Sequence, residues 1–282
     1  MSVIPNKEVK RELSVLFIGA HPDDADIQFG GTAIKYLQLG HTVTYLTLTN
    51  GDAGHHIEGG GALAQRRRKE SQNVAKFLGL NYMILDNHDG ELQATVENRK
   101  KVIQVIREVK PNLIITHRPN DYHADHRNTS LLVQDAAYLV CVPNIVPFVP
   151  RLEFNPVIVY HQDHFTKPAP FTPEIFVDIT DVIDRKLEAL SFHESQIFEW
   201  IPFIEGYLQD VPKEKGERLP WLKMLWGNPS NVNQFLPQLK EKVALEAFNA
   251  IHHIEAFERC EYGGRLTDEN VKTLFPFGII NF

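Results

Sequence analysis

Cysteine is nearly absent from this chain: Cys141 and Cys260 are its only two. That excludes a disulfide framework and a cysteine-rich zinc knuckle. Long apolar runs are missing as well. Residues 13–20 are apolar but far too few to cross a bilayer, which takes about 20. Residues 1–12 carry charges with no apolar stretch behind them and no small-residue cleavage site, so they do not read as a signal peptide. A cytoplasmic protein without a membrane segment is the expectation. Basic charge is also short, with 29 Lys and Arg against 36 Asp and Glu, a net charge of −7. That balance argues against non-specific nucleic-acid binding and against docking on anionic lipid. No Gly-x-Gly-x-x-Gly follows the first apolar run, which disfavours a dinucleotide site, and there is neither a Walker loop nor a Gly-x-Ser-x-Gly elbow.

What the chain does have is the composition of a globular protein, 43% hydrophobic and 23% charged over 282 residues, enough to bury a full core. It also has 13 histidines. With so little cysteine, a transition-metal site would have to use imidazole and carboxylate.

The first half alternates strand and helix signals. Strands are expected at residues 13–20, 42–49, 82–85 and 113–117. Helices are expected at 30–40, 63–78, 96–109 and 128–140, with a glycine-rich loop over 51–61. Such alternation implies βαβ units: an α/β fold with a Rossmann-like, mostly parallel sheet and helices on both faces. The second half is less regular. Strands are expected at 157–160 and 175–179, a helix at 181–200, a long irregular aromatic stretch at 200–237 and a final helix at 240–259. No linker-like tract breaks the chain. It reads as one domain over 1–282, with a core of about 11–200 and a C-terminal elaboration of about 200–282.

Two clusters carry chemistry. Gly19-Ala-His-Pro-Asp-Asp24 stands where the first strand ends, and ligands of open parallel sheets bind outside the carboxyl ends of their strands. A His and two adjacent acids there are costly to bury unless paired or metal-bound. His21 and Asp24 are spaced to reach one ion around a turn, and Asp23 would face the same space as a proton acceptor. The second cluster, His117-Arg-Pro-Asn-Asp-Tyr-His-Ala-Asp-His126, follows the fourth strand. Either His123 or His126 could complete a metal triad with His21 and Asp24, leaving the other beside the substrate. Each cluster alone also fits a bland explanation, a capped polar turn or two helix-surface histidines. Placed together at two strand ends, they point to a metal.

The order Ala20-His-Pro-Asp-Asp24, Gly30-Gly31, Thr49-Asn-Gly51, Arg67-x-x-Glu70, Asp89-Gly90 and Asp121-x-His-x-Asp-His126 resembles the PIG-L/LmbE-like de-N-acetylases. The resemblance covers about residues 13–135 and continues more weakly through Val177–Thr180, Lys186 and His193-x-Ser-Gln196. It implies a zinc-dependent hydrolase (another divalent ion such as Fe2+ would also suit) that removes an N-acetyl group from a small amino-sugar derivative. By that resemblance His21, Asp24 and His126 bind the metal and Asp23 is the general base. His123 is general acid or oxyanion stabiliser, and Asp125 orients an imidazole. Arg67 and Asp89 face sugar hydroxyls, although Arg67 and Glu70 also suit a surface ion pair. Hydrolysis of a non-sugar amide or C–N bond, and a binding module whose chemistry has decayed, are the competing readings. A homo-oligomer is left open, with residues 200–237 as the contact region.

Overall fold

The computed structural model describes residues 12–227, 232–243 and 245–280. The signal-peptide reading of residues 1–11 lies outside them. Its backbone is one sheet of eight strands in the order β3-β2-β1-β4-β5-β7-β6-β8. The strands are β1 Ser14–Gly19, β2 Thr42–Thr49, β3 Asn81–Asn87, β4 Leu113–Thr116, β5 Val157–His161, β6 Ile175–Asp178, β7 Ile254–Gly263 and β8 Gly278–Ile280. β1 to β5 are mutually parallel, and β6, β7 and β8 add an antiparallel margin. The expected α/β sheet, mostly parallel with helices on both faces, is therefore present.

Alternation along the central strands feeds two cores, because successive strand residues face opposite sides. Val15 and Phe17 of β1 pack with Phe29 and Ala33 of α1 (Asp24–Gln38) and Val74 of α2 (Gly60–Leu78). Leu16 and Ile18 pack on the other face with Val102 and Ile106 of α3 (Val96–Val109) and Leu132 and Val133 of α4 (Ala124–Leu139). Each fully buried Val, Leu, Ile or Phe among them contributes about 1.5–3 kcal/mol. β1 is flanked by β2 on one side and β4 on the other, so the chain reverses its direction of travel across the sheet between β1 and β4. Loops leaving the carboxyl ends of these two strands face a common crevice. Both histidine–aspartate clusters occupy those loops.

The later elements depart from the sequence expectations, for physical reasons. The helix expected over 181–200 is broken into α5 (Ile183–Leu190) and a π-helical turn (Gln196–Trp200) that runs into α6 (Ile201–Ile204). Between them His193 and Ser195 turn fully inward, His193 to Asp26 (2.9 Å) and Ser195 to Glu70 (2.6 Å). The stretch 200–237, expected to be irregular, holds α7 (Lys215–Trp226), whose Leu222, Trp221 and Trp226 pack against Leu187 and Leu190. The final helix expected over 240–259 is instead two short helices, α8 (Leu236–Lys242) and α9 (Leu245–Ala250), followed by β7. β7 lies between β5 and β6, so the C-terminal chain forms part of the sheet.

β7 also reaches the helix that follows the first strand. Glu255 (5% exposed) accepts the backbone amides of Gly31 (2.9 Å) and Thr32 (2.7 Å) in α1, and binds Lys186 Nζ at 2.7 Å. Lys186 also donates to the carbonyl of Ile27 at 2.7 Å. Gly30 and Gly31 make this possible: a Cβ on Gly31 would lie 2.6 Å from Ile179, and one on Gly30 would press on Lys186 at 3.2 Å.

Candidate active site

α1 begins at Asp24 itself, six residues earlier than its sequence pattern indicates, and α4 begins at Ala124, directly after His123. His21 and Asp23 therefore sit in the β1–α1 turn and Asp24 opens α1, with His123, Asp125 and His126 at the start of α4. All but Asp125 line one cavity of about 580 Å³, as do Arg67 and Asp89. Asp125 is fully buried behind it.

Three donors converge. His21 Nδ1 lies 3.1 Å from His126 Nε2 and 3.8 Å from Asp24 Oδ2, and His126 Nε2 lies 3.5 Å from Asp24 Oδ1. Their surroundings fix which atoms are free. His21 turns Nε2 towards Asp89 Oδ1 (3.1 Å) and Asp125 Oδ2 (3.3 Å), so in neutral His21 that nitrogen carries the proton and Nδ1 presents a lone pair. His126 turns Nδ1 towards Asp121 Oδ1 (3.0 Å), so Nε2 presents a lone pair. Asp24 Oδ2 accepts the amides of Ala20 and His21, both at 2.8 Å, which leaves Oδ1 for another partner. A proton held on His21 Nδ1 bridges it to His126 Nε2; once that proton leaves, two lone pairs and a carboxylate face one another and suit a cation. Carboxylates holding the outer nitrogen of each imidazole are the usual companions of metal ligands. The donor set therefore fits a metal ion. Three overlapping groupings of the same neighbourhood bring ligand atoms close enough for one ion: His21 with His123 and His126; His21 with Asp89, His123 and Asp125; and Asp24 with His117 and His126.

Charges in the crevice are strongly perturbed. Burial would lower the pKa of His21, but Asp125, Asp24 and Asp89 raise it well above the usual imidazole range. Burial would raise Asp24, but His126, His117 and His21 hold it well below the usual carboxylate range. Asp89 is held at about 2, against its burial, by His21 and Arg67. Asp23 goes the other way. Burial raises it and the neighbouring Asp24 adds to that, while Arg67 opposes. Arg67, 2% exposed, lies 3.2 Å from Asp23 Oδ1 and 3.6 Å from Asp89 Oδ2, and donates to the carbonyls of Pro22 and Gly51. Gly51 must lack a side chain there, since a Cβ would meet Arg67 Nη1 at 2.6 Å. The surface ion pair that the Arg67–Glu70 spacing also suited is not formed; Glu70 binds Ser195 and Arg66 instead.

His123 lies beside this group, its ring 4.6 Å from that of His21. Its Nδ1 accepts the backbone amide of Asp125 at 3.1 Å. A backbone N–H can only donate, so the proton of neutral His123 is on Nε2. Burial, then His21 and His126, lowers its pKa.

Several residues at the site stand outside the proposed ligand and catalytic set. Asp121 was legible only as part of a motif, yet it holds His126. His117 directly follows β4 and touches Asp24 at 3.1 Å, and beyond it His161 lies 3.0 Å from His117 Nδ1. Asp26, 1% exposed beneath the crevice, pairs with His193. Trp200 lines the cavity, whereas Trp221 and Trp226 pack in a core. His55 and His56 do not line it; their loop contributes Ala53 and Gly54.

A model of the family described as GlcNAc-PI de-N-acetylase matches residues 16–137. Over 230 residues the chain is 34% identical to a diacetylchitobiose deacetylase of Thermococcus kodakarensis, covering 76% of this chain and 82% of that protein. It is 26% identical to a probable N-acetyl-alpha-D-glucosaminyl L-malate deacetylase 2 of Bacillus anthracis, covering 76% of this chain and 94% of the relative. Among solved structures, the N,N'-diacetylchitobiose deacetylase of Pyrococcus horikoshii in complex with an inhibitor superposes with a TM-score of 0.64 at 27% identity, covering 87% of this chain and 83% of that one.

Proposed function

The chain belongs to the PIG-L family of de-N-acetylases, and from that membership we propose that it is a metal-dependent hydrolase removing the acetyl group from an N-acetylated amino-sugar derivative. The observation that carries the reading is the convergence of His21 Nδ1, His126 Nε2 and Asp24 within 3.1–3.8 Å, with Asp23 beside them on the same cavity. His21, Asp24 and His126 are the proposed ligands, zinc the proposed ion and Fe2+ its alternative, as two imidazoles and one carboxylate suit either. When bound, the ion supplies Lewis acidity, polarising an acetamide carbonyl and lowering the pKa of water towards ~7.

The protein groups divide the remaining work. Asp23, with proton affinity raised by burial, accepts the proton of the attacking water, and Arg67 holds its carboxylate in place. Neutral His123 offers Nε2–H to the oxygen that becomes negative as the tetrahedral centre forms. Its Nδ1 is committed to the Asp125 amide, so His123 has no second proton to give without losing that bond. The proton for the departing amine therefore comes from Asp23. Asp125 and Asp121 keep the outer nitrogens of His21 and His126 protonated. Arg67 and Asp89 remain the proposed contacts for sugar hydroxyls. The substrate is a small N-acetylated molecule, and among the described residues no helix is long and apolar enough to cross a membrane. We read residues 1–282 as one domain, acting in the cytoplasm.

Acetate release from N-acetylglucosaminides, measured with and without a chelator, tests the reading. Release that a chelator abolishes and added zinc restores supports it; release unaffected by metal removal overturns it.

A further inference from the structure

The lining of the cavity divides in two. Polar groups gather round Gly54: a Cβ there would lie 3.0 Å from Arg67 Nη1, 3.2 Å from Asp89 Oδ2 and 3.7 Å from Gln196 Oε1. The rest of the lining includes a run of apolar side chains, Ile27, Trp200, Ile201 and Ile204. That run starts beside the proposed metal ligands. Ile27 stands three residues after Asp24 and four after Asp23 at the start of α1, and its amide donates to the Asp23 carbonyl at 3.0 Å. Residues so spaced share one helix face, a turn apart.

From Ile27 the run is continuous. Ile27 and Ile201 rest on the same buried cluster, formed by Leu187, Leu190, Ile197, Phe198 and Leu222. Ile204 follows Ile201 by three residues on α6 and is 56% exposed, so the run reaches solvent. Trp200, next to Ile201, is held by stacking on Phe203 (centroids 5.9 Å, 22°), which stacks in turn on His56 of the glycine-rich loop (4.3 Å, 9°).

An amide substrate has the same two halves. Its amine half carries hydroxyls and matches Arg67 and Asp89. Its acyl half starts at the carbonyl that is attacked, where the apolar run begins. An acetyl group has one methyl to place there, which leaves most of the run facing water; a longer chain removes that apolar surface from water.

Resting on the deacetylase reading, we propose that Ile27, Trp200, Ile201 and Ile204 form an acyl-chain site, through which the protein takes N-acyl amino sugars whose acyl group is longer than acetyl. The bonds are those of deacetylation. Water adds to the acyl carbon and the C–N bond breaks with its electron pair on nitrogen. Asp23 returns the proton, and a free amine and a carboxylic acid leave.

The test offers N-acetyl-, N-butyryl-, N-hexanoyl- and N-octanoylglucosamine to the zinc-loaded chain and measures the glucosamine released, which is common to all four. Each methylene buried on an apolar surface is worth up to about fourfold, so kcat/KM should rise at least ~10-fold from acetyl to hexanoyl. Ile204→Asp, at an exposed position, should cost the octanoyl substrate at least ~5-fold more than the acetyl one, and Ile204→Leu should restore the difference. A kcat/KM that stays level or falls with chain length overturns the proposal and leaves the deacetylase reading standing. An Ile204→Asp loss equal for acetyl and octanoyl substrates also overturns it. So does an equal gain from octyl N-acetylglucosaminide, whose chain is on the glycosidic oxygen. If none of the four releases glucosamine, the deacetylase reading falls, and calorimetry on the zinc-loaded Asp23→Asn chain decides the site. Tighter binding of N-octanoylglucosamine than of N-acetylglucosamine upholds it there, and equal binding overturns it.

Discussion

Replacing Lys186 with methionine should cost about 3–5 kcal/mol of stability, far more than a surface lysine is worth. Lys186 is 9% exposed, and its ammonium lies 2.7 Å from Glu255 Oε1 and 2.7 Å from the Ile27 carbonyl. Methionine keeps the volume but leaves the Glu255 carboxylate buried without a counter-charge. The two α1 amides that Glu255 retains, at 2.9 and 2.7 Å, stabilise it in part, so the lower end of the range, about 3 kcal/mol, is expected. Glu255→Gln alone should also be costly, because it strands the ammonium. The double variant Lys186→Met/Glu255→Gln removes both charges and should lie within about 1 kcal/mol of wild type. Urea unfolding followed by far-ultraviolet circular dichroism, at unchanged m-value, measures all four chains. A single-variant loss below about 1 kcal/mol, or a double variant whose loss is the sum of the two singles, would refute the claim that this pair ties β7 to the helix carrying Asp24.

Gly31→Ala should destabilise by about 1–3 kcal/mol through collision with Ile179, and Ile179→Ala in the same chain should recover part of that loss, read as Tm by calorimetry. Asp121→Ala frees Nδ1 of His126 and should weaken metal binding by about 10–100-fold, read by competition with a chromophoric chelator. His161, buried against His117, is pushed down to about 3, below its unfolded value of ~6.5. The unfolded chain then binds the extra proton, so the His161 contribution is complete above pH 6.5 and stability falls as pH drops from there towards 3, by up to about 1.4 kcal/mol per unit. His161→Gln should flatten that part of the Tm–pH curve, and an unchanged slope would contradict it.

The parallel half of the fold was legible because its signals are local. α3 begins and ends where its apolar spacing places it, and β2 is the run of alternating residues that reads as a strand. The convergence of the two histidine clusters was legible because HPDD and HADH follow two strands that are neighbours across the point where the sheet order reverses. The second half was not, since its strands and breaks are set by partners far away in sequence. Glu255 is a charged residue at the start of a strand, and only Lys186 and the α1 amides explain its burial. Helix 181–200 reads as continuous until Asp26 and Glu70 draw His193 and Ser195 inward. Asp121 looks like one loop acid among many until its distance to His126 is known.

The central claim is that His21, Asp24 and His126 hold a metal at which Asp23 performs proton transfer. One preparation of wild-type and Asp23→Asn chains, assayed for bound metal by elemental analysis and for acetate released from N,N'-diacetylchitobiose, tests it directly. About one zinc ion per chain in both, with acetate release in the wild type and at least ~10²-fold less in the variant, is the expected result. Loss of the metal with retained acetate release, or full release by metal-loaded Asp23→Asn, would contradict it.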